Sequence, residues 1–279
     1  MSASVLTLLY VPADRPDRVA KALASEADVV IVDLEDAVAP AHKDLGREQV
    51  ARLLAGVDRP VQVRANHPAT PWHTADVEVV AALPPVVGVR APKVESADEV
   101  RRLASQVPGR ALHLLIESAL GVEHAFEIAT ASDQVATLGL GEADLRSDLR
   151  VDDDAGLAWV RSRIVTAARA ARLPSPAMSA YPNVKDVEGL IASCHAGRAL
   201  GFLGRAAIHP AQLAHIQQAF RPSEVEAEKA RAVVARVGEA HTEGVGAIAL
   251  EDGTFLDVAM VEQARAVLAL TERTGPTPG

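Results

Sequence analysis

The stretch Val29-Val30-Ile31-Val32-Asp33 gives the clearest indication of the fold. An unbroken run of β-branched residues is typical of a strand buried within a parallel sheet. The run ends at an aspartate and continues as Leu34-Glu35-Asp36, so acidic side chains follow the carboxyl end of the strand. The amphipathic stretch Lys43–Leu54 comes next and predicts a helix, which makes a strand–helix unit.

Similar units recur along the chain. We predict the other strands at Leu6–Val11, Val61–Arg64, Val86–Ala91, Leu112–Glu117, Val135–Leu140, Ala177–Ala180 and Arg205–Ile208. The other helices are predicted at Arg15–Ala24, Thr74–Leu83, Ala97–Gln106, Gly121–Ala131, Ala155–Arg172, Asp186–Leu200 and Pro210–Phe220. Short strands that alternate with helices imply parallel strands joined by crossovers. Eight such units favour an α/β fold of the closed (β/α)8 TIM barrel type over an open sheet.

The chain changes character after the eighth unit. A charged helix is predicted over Pro222–Val237, a hairpin over Gly244–Asp257 and a last helix over Val258–Leu270. We therefore expect a catalytic barrel over residues 1–220 and a C-terminal helix–hairpin–helix appendage over residues 221–279. Such a short appendage has too small a core to stand alone, so we expect it to pack on a neighbouring subunit.

Composition limits the classes of function. The 279 residues are 49% hydrophobic and carry a net charge of −9, which disfavours binding to nucleic acid or to an anionic membrane. The single cysteine, Cys194, excludes a disulfide or a multi-thiol metal site within the chain. The chain shows neither the layout of a signal peptide nor an apolar run of about 18 residues, so we expect a cytoplasmic protein.

Polar residues recur just after the predicted strands. They are Asp33, Arg64, Lys93, Glu117, Asp144 and His209. A single carboxylate at such a position is often only a cap for the next helix, but in a (β/α)8 barrel the carboxyl ends of the strands form the active site. Two carboxylates on neighbouring strands suit Mg²⁺, and a nearby arginine can clamp a carboxylate. A metal and an arginine together favour enolate chemistry.

Seven segments spread over nearly the whole chain also carry a family resemblance. They are Tyr10–Pro16, Val32–Val38, Val63–Asn66, Ala91–Ser96, Ile116–Ala119, Tyr181-Pro182 with Lys185–Leu190, and Ala207–Gln212. Through these segments the sequence resembles the HpcH/HpaI aldolase and citrate lyase beta-subunit family, which includes malyl-CoA and citramalyl-CoA lyases.

The resemblance implies a role for each matching residue near the metal. Glu117 and Asp144 match the two direct Mg²⁺ ligands. Asp33 and Glu35 match acidic residues near the water shell of the metal, and Arg64 matches the arginine that binds keto-acid or enolate oxygens.

The resemblance also implies a coenzyme A site and an assembly. Arg15 and Lys21 match the segment that contacts the coenzyme A portion of the substrate, and we count Lys93 with them as a candidate cofactor-binding residue. The family forms homotrimers, sometimes hexamers, in which a C-terminal aspartate reaches the site of the neighbouring subunit as a candidate acid or base. Asp257, in the segment Asp252–Asp257, resembles that aspartate.

Two segments depart from the family pattern. The usual Gly-Ala-Glu-Asp-Leu is here Gly141-Glu142-Ala143-Asp144-Leu145, so the first acidic residue is shifted by one position. The usual aspartate before Gly-Val-Tyr-Pro is replaced by the segment Ser175–Ala180 ahead of Tyr181-Pro182.

The resulting expectation is a Mg²⁺-dependent carbon–carbon lyase. It cleaves or forms a 3-hydroxyacyl-CoA ester, such as malyl-CoA or citramalyl-CoA, with a keto acid and an acyl-CoA on the other side of the reaction. Two alternatives stay open. One is a class II aldolase that acts on a free hydroxy-keto acid without coenzyme A, and the other is a carrier-dependent subunit of the citrate lyase beta type.

Overall fold

The structure is a computed structural model that describes residues 4–243, 248–249, 255–256 and 258–272. The chain divides into two compact units, one from Val5 to Ala219 and one that contains the chain from Phe220 onward.

The first unit is built on a sheet of seven parallel strands. The strands are β1 (Thr7–Pro12), β2 (Val29–Asp33), β3 (Val61–Arg64), β4 (Val87–Ala91), β5 (Leu112–Ile116), β6 (Val135–Leu140) and β7 (Arg205–Ala207). Their order in the sheet is β6-β5-β4-β3-β2-β1-β7, so β1 to β6 are neighbours in chain order. All their carboxyl ends consequently lie at one edge of the sheet.

Helices follow the strands. They are α1 (Pro16–Leu23), α2 (Lys43–Leu54), α3 (His73–Ala81), α4 (Ala97–Gln106), α5 (Ala119–Glu123), α6 (Ala125–Ala129), α7 (Glu142–Leu149), α8 (Ala158–Ala170), α9 (Val187–Ala199) and α10 (Leu213–Phe220). The core of this unit contains side chains from both kinds of element, such as Val30 and Val63 from strands and Leu54 and Ile164 from helices, all fully buried. Their burial explains why the strands are continuous apolar runs.

The predicted closed eight-stranded barrel is wrong in one respect, because the seven described strands do not close into a ring of eight. The predicted strand Ala177–Ala180 forms only an isolated bridge, between Met178 and Arg205 of β7. On the side of β6 the contact is made by a side chain, since Ser179 Oγ donates to the carbonyl of Leu140 over 2.6 Å. Pro174 and Pro176 contribute to the interruption, because proline has no N–H to donate to a ladder.

Two helices also differ from the prediction. The helix predicted over Gly121–Ala131 is two short helices, α5 and α6, because the backbone at His124 leaves the helical region (φ −88°, ψ 7°). Helix α7 was not predicted, because Glu142–Leu149 is charged and short. It ends at Arg150, whose backbone is left-handed (φ 56°).

In the C-terminal unit, α11 (Glu224–Glu243) and α12 (Val258–Glu272) enclose a small apolar cluster of Ala230, Val233, Val261 and Ala264. Two short antiparallel strands, β8 (Ile248–Ala249) and β9 (Phe255–Leu256), lie within the predicted hairpin. No helix in the described part of the chain is both long and apolar enough to span a bilayer.

Candidate active site

Asp33 and Arg64 form the centre of a charged cluster at the carboxyl edge of the sheet. Their strands are neighbours, and the two residues are directly opposite in the register of β2 and β3. Arg64 donates from Nε and Nη2 to the two carboxylate oxygens of Asp33, over 2.8 and 2.6 Å. Asp33 is buried and also accepts the backbone N–H groups of Glu35 and Ala37. This fork-shaped pairing fixes the plane of the guanidinium group.

Glu35 lies between two cations. Lys93 Nζ donates to Glu35 Oε1 over 2.5 Å, and Arg64 Nη1 lies 2.8 Å from Oε2. The second contact is an ion pair without hydrogen-bond alignment, so Oε2 is a buried acceptor with no hydrogen-bond partner among the described residues. Burial raises the pKa of Glu35 above its ordinary value, against the opposing effects of Arg64 and Lys93.

Lys93 has an unusual backbone, with φ at +53°. In this conformation its N–H donates to Glu117 Oε2 over 3.1 Å, while its side chain reaches Glu35. Burial alone lowers the pKa of Lys93, but the hydrogen bond to Glu35 and the charges of Glu35, Asp36 and Glu117 outweigh it and raise the pKa. A strained backbone held by contacts on both sides is typical of a functional position.

Glu117 follows β5 directly, and Ser118 then caps α5 by accepting the N–H of Gly121. The Glu117 side chain lies against Gly141, where a methyl group would come within 2.6 Å of the Glu117 Cδ atom. A glycine at 141 therefore leaves the space that this buried carboxylate occupies.

Burial, followed by the charges of Glu35 and Asp144, raises the pKa of Glu117 to about 7. Asp144 itself is exposed, in the first turn of α7. Like charges that raise the pKa of a buried carboxylate in this way would favour a cation bound beside it.

The donor set fits Mg²⁺ by its charge. The cluster holds five carboxylates, those of Asp33, Glu35, Asp36, Glu117 and Asp144, and three cations, those of Lys43, Arg64 and Lys93. With all five carboxylates ionised, two negative charges would be left over, which is the charge that one divalent cation would neutralise. Among the described residues no three His, Cys, Asp or Glu side chains form a complete metal site. Mg²⁺ does not need one, because it commonly keeps several waters and binds only one or two carboxylates.

Lys43 is a part of the site that the sequence did not indicate. It is buried, and Nζ donates to the carbonyls of Leu34 and Glu35 and to the side chain of Asn66, over 2.6, 2.6 and 2.8 Å. Three acceptors match the three protons of an ammonium group. A lysine at a helix start is ordinarily solvated, so no pattern in the sequence separates this one from the others.

A cleft of ≈ 400 Å³ opens beside the cluster. Its lining includes Glu35, Asp36 and Lys93 at the cluster and Pro40 and Trp72 in the loops after β2 and β3. A substrate larger than a small keto acid has room here.

The remaining predicted residues lie apart or are not described. Arg15 and Lys21 are exposed at the start and in the last turn of α1. Asp257 lies outside the described residues. Glu142, the shifted acidic residue, accepts a two-pronged hydrogen bond from Arg161 over 2.8 and 2.7 Å. His209 caps the turn Pro210–Gln212.

Curated relatives match almost the whole chain. The chain is 34% identical over 281 residues to the citrate lyase subunit beta of Leuconostoc mesenteroides subsp. cremoris, covering 95% of this chain and 92% of the relative. It is 35% identical over 272 residues to a (3S)-malyl-CoA thioesterase of Cereibacter sphaeroides, covering 95% and 94%.

A solved structure has the same fold. Protein CitE from Mycobacterium tuberculosis, in complex with magnesium, acetoacetate and coenzyme A, superposes with a TM-score of 0.81 at 34% identity, over 98% of this chain and 99% of that chain. The family model described as HpcH/HpaI aldolase/citrate lyase matches residues 6–210, which include every predicted site residue except Asp257. The predictions of the family and of an enzyme of the lyase type are therefore confirmed, and the chain belongs to the HpcH/HpaI aldolase/citrate lyase family.

Proposed function

We propose that this protein is a Mg²⁺-dependent carbon–carbon lyase that acts on a 3-hydroxyacyl-CoA ester such as malyl-CoA or citramalyl-CoA. The observation that carries the proposal is the buried Glu117 carboxylate, whose pKa is raised to about 7 by burial, Glu35 and Asp144. A carboxylate held in this way beside others is best stabilised by a cation. The magnesium and coenzyme A bound by the related CitE structure support that cation and that substrate class.

Glu117 and Asp144 are the proposed metal ligands, and Asp33 and Glu35 would lie near the water shell of the metal. When bound, Mg²⁺ polarises the substrate carbonyl and stabilises developing oxyanion charge. Arg64 is proposed to bind the carboxylate of the hydroxy acid. Its Nε and Nη2 are occupied by Asp33. Nη1 makes ion pairs with Glu35 and Asp36 that are not aligned hydrogen bonds, so Nη1 is the donor proposed to bind the substrate.

In the cleavage direction a base removes the proton of the substrate hydroxyl group. The bond between the carbinol carbon and the carbon next to the thioester then breaks, and its electron pair forms the thioester enolate. The carbinol carbon becomes the carbonyl of a keto acid, held by Arg64. An acid returns a proton to the enolate carbon and gives the acyl-CoA. We assign that acid to Asp257 of an adjacent subunit in a homotrimer or hexamer.

The coenzyme A portion is assigned to Arg15 and Lys21, whose exposed cations suit its phosphates. The cleft of ≈ 400 Å³ beside Glu35 supports a substrate with a part beyond the reacting acid. Lys93 makes its described contacts inside the acidic cluster, and its predicted role in cofactor binding stays a prediction.

A Glu117→Gln variant tests the proposal. It keeps the size of the side chain and removes the charge that holds the metal. We expect Mg²⁺-dependent release of keto acid from malyl-CoA or citramalyl-CoA to fall by about two orders of magnitude or more. Glu99→Gln, in the first turn of α4, is the control and keeps its activity. Full Mg²⁺-dependent turnover by Glu117→Gln would refute the metal assignment.

One observation keeps a second function open. The chain is nearly as similar to the citrate lyase subunit as to the thioesterase, at 34% and 35% identity. A carrier-dependent subunit would need an acyl carrier protein, whereas the proposed lyase turns over a CoA ester as a purified single chain. A free-acid aldolase would not be stabilised against heat by coenzyme A, since a ligand raises stability only when it binds the folded state.

A further inference from the structure

A group of polar side chains crosses the sheet beside the charged cluster. Tyr10, Gln62 and Arg90 come from β1, β3 and β4, with His113 and Thr137 beyond them on β5 and β6. Gln62 and Arg64 are two residues apart on β3 and so point to the same face of the sheet. Aliphatic residues ordinarily fill this space in a barrel-like sheet. Polar side chains on the face that carries Arg64, with Arg90 directly opposite it in the register of β3 and β4, therefore need an explanation.

Arg90 is a buried cation with neutral partners. Its Nε donates to the Tyr10 hydroxyl and its Nη1 to Gln62 Oε1, each over 2.9 Å. No carboxylate among the described residues forms an ion pair with it. Burial and the charge of Arg90 lower the pKa of His113 to about 3, so that imidazole is neutral near pH 7. Among these five side chains Arg90 is consequently the one that carries charge.

Tyr10 connects this cation to the site. The Arg64 guanidinium carbon lies 5.2 Å from the centre of the Tyr10 ring, and that of Arg90 lies 5.6 Å from it. A guanidinium group at this distance is attracted to the face of an aromatic ring. The hydrogen bond from Arg90 to the hydroxyl fixes the ring, and the fixed ring restrains Arg64.

We propose that Tyr10 and Arg90 are positioning residues, which hold the guanidinium of Arg64 in place for an anionic keto acid. The role rests on the proposed function of Arg64. Asp33 holds Arg64 from the carboxylate side, and the face of the Tyr10 ring holds it from a second side. The charge of Arg90, which forms no ion pair with a described carboxylate, lies on the strand next to Arg64 and favours the negative charge that gathers on the substrate carboxylate and the enolate.

The first test observes Arg64 itself and needs no substrate. Its Nε–H resonance is assigned by its loss in Arg64→Lys, and its exchange with water is measured by NMR in the full-length protein. We expect about tenfold faster exchange in Tyr10→Leu and in Arg90→Met, and a smaller increase in Tyr10→Phe, which keeps the ring but loses the bond from Arg90.

Val29→Ala is the matched control, because Val29 belongs to the apolar cluster against which Tyr10 packs but lies a layer lower. It lowers stability and leaves the Arg64 signal unchanged. Wild-type exchange in both Tyr10→Leu and Arg90→Met would overturn the proposal. Wild-type exchange in Tyr10→Phe alone would overturn the part assigned to the bond from Arg90.

The second test separates this inference from the proposed function. With malyl-CoA and Mg²⁺, we expect kcat/KM to fall about tenfold in Arg90→Met and Tyr10→Leu. In an Arg64→Lys background the same changes have little further effect, because they act through Arg64. Equal losses in both backgrounds would show a merely structural role. An inactive wild-type protein would refute the proposed lyase function, while the NMR result would still decide the positioning role.

Discussion

At the scale of single residues, Glu117 links stability to pH. Its pKa is raised from 4.5 to about 7, so the folded protein binds this proton more tightly than the unfolded chain does. Glu117 therefore contributes its full stabilising effect below the pKa that it has in the unfolded chain. This effect is lost as the pH rises through the pKa that Glu117 has in the folded protein. Mg²⁺ should reverse the loss at high pH, because it binds the ionised carboxylate.

We therefore expect the metal-free protein to lose up to about 3 kcal/mol of unfolding free energy through Glu117 between about pH 5 and about pH 8. Denaturant unfolding in the presence of a chelator measures the unfolding free energy at each pH. The same measurement on Glu117→Gln gives the pH dependence that comes from all other titrating groups. Equal pH slopes for the two proteins would contradict the prediction. Added Mg²⁺ should stabilise the wild-type protein more at the higher pH.

Gly141 provides a second prediction for the same carboxylate. In Gly141→Ala the new methyl group would overlap the Glu117 side chain, which is flexible enough to move away. We expect the protein to fold but to lose Mg²⁺-dependent turnover by about tenfold or more, because the carboxylate is displaced. Gly56→Ala is the control, since a methyl group there meets nothing within 4 Å. Unchanged turnover and Mg²⁺ affinity in Gly141→Ala would show that the Glu117 carboxylate does not need the space beside Gly141.

The sequence indicated some of these residues and not others. Asp33, Arg64 and Glu117 could be found because each ends an apolar strand, which places a charge at the carboxyl edge of the sheet. Arg90 stands one position before the end of β4, where its neighbours in sequence reveal neither its burial nor its bond to Tyr10 from β1. Contacts between distant strands depend on register, which a single sequence does not show.

At the scale of elements, the apolar runs in the sequence predicted several strands and helices correctly. The predicted bounds are observed for strands β2, β3 and β6 and for helices α2 and α4. Ser96, for example, caps α4 by accepting the N–H of Glu99. The seventh predicted strand, Ala177–Ala180, was wrong because this segment makes only an isolated bridge to β7 and a side-chain hydrogen bond to β6, where a ladder was expected. The apolar pattern does not distinguish the two.

A substitution of Ser179 tests how the segment Ala177–Ala180 is held between β6 and β7. Its hydroxyl donates to the Leu140 carbonyl and accepts the N–H of Glu142, at the start of α7. We expect Ser179→Ala to lower the unfolding free energy by about 1–3 kcal/mol and to speed hydrogen exchange at the Glu142 amide. Ser105→Ala, exposed on α4, is the control with little effect. An unchanged exchange rate at the Glu142 amide would show that the Ser179 hydroxyl does not stabilise the contact between this segment and the start of α7.

At the scale of the whole molecule, the proposed site takes a residue from a neighbouring subunit. The described candidates lie between Val5 and Ala219, whereas Asp257 lies outside the described residues. The family resemblance and the predicted assembly lead us to propose that Asp257 acts on the site of a neighbouring subunit. Each chain would then contribute the metal ligands of one active site and the acid of the active site in a neighbouring subunit.

This proposal predicts complementation between two inactive variants. Glu117→Gln removes the metal ligand and Asp257→Asn the proposed acid, so each pure protein should be nearly inactive. In a co-expressed one-to-one mixture, about a quarter of the sites would combine an intact Glu117 with an intact Asp257 from the adjacent chain, and about a quarter of the wild-type activity should return. Glu117→Gln mixed with Glu117→Gln/Asp257→Asn is the control and stays inactive, because no intact Glu117 is present. An inactive mixture of the two single variants, despite shared oligomers, would place Asp257 in its own chain's site or outside the reaction.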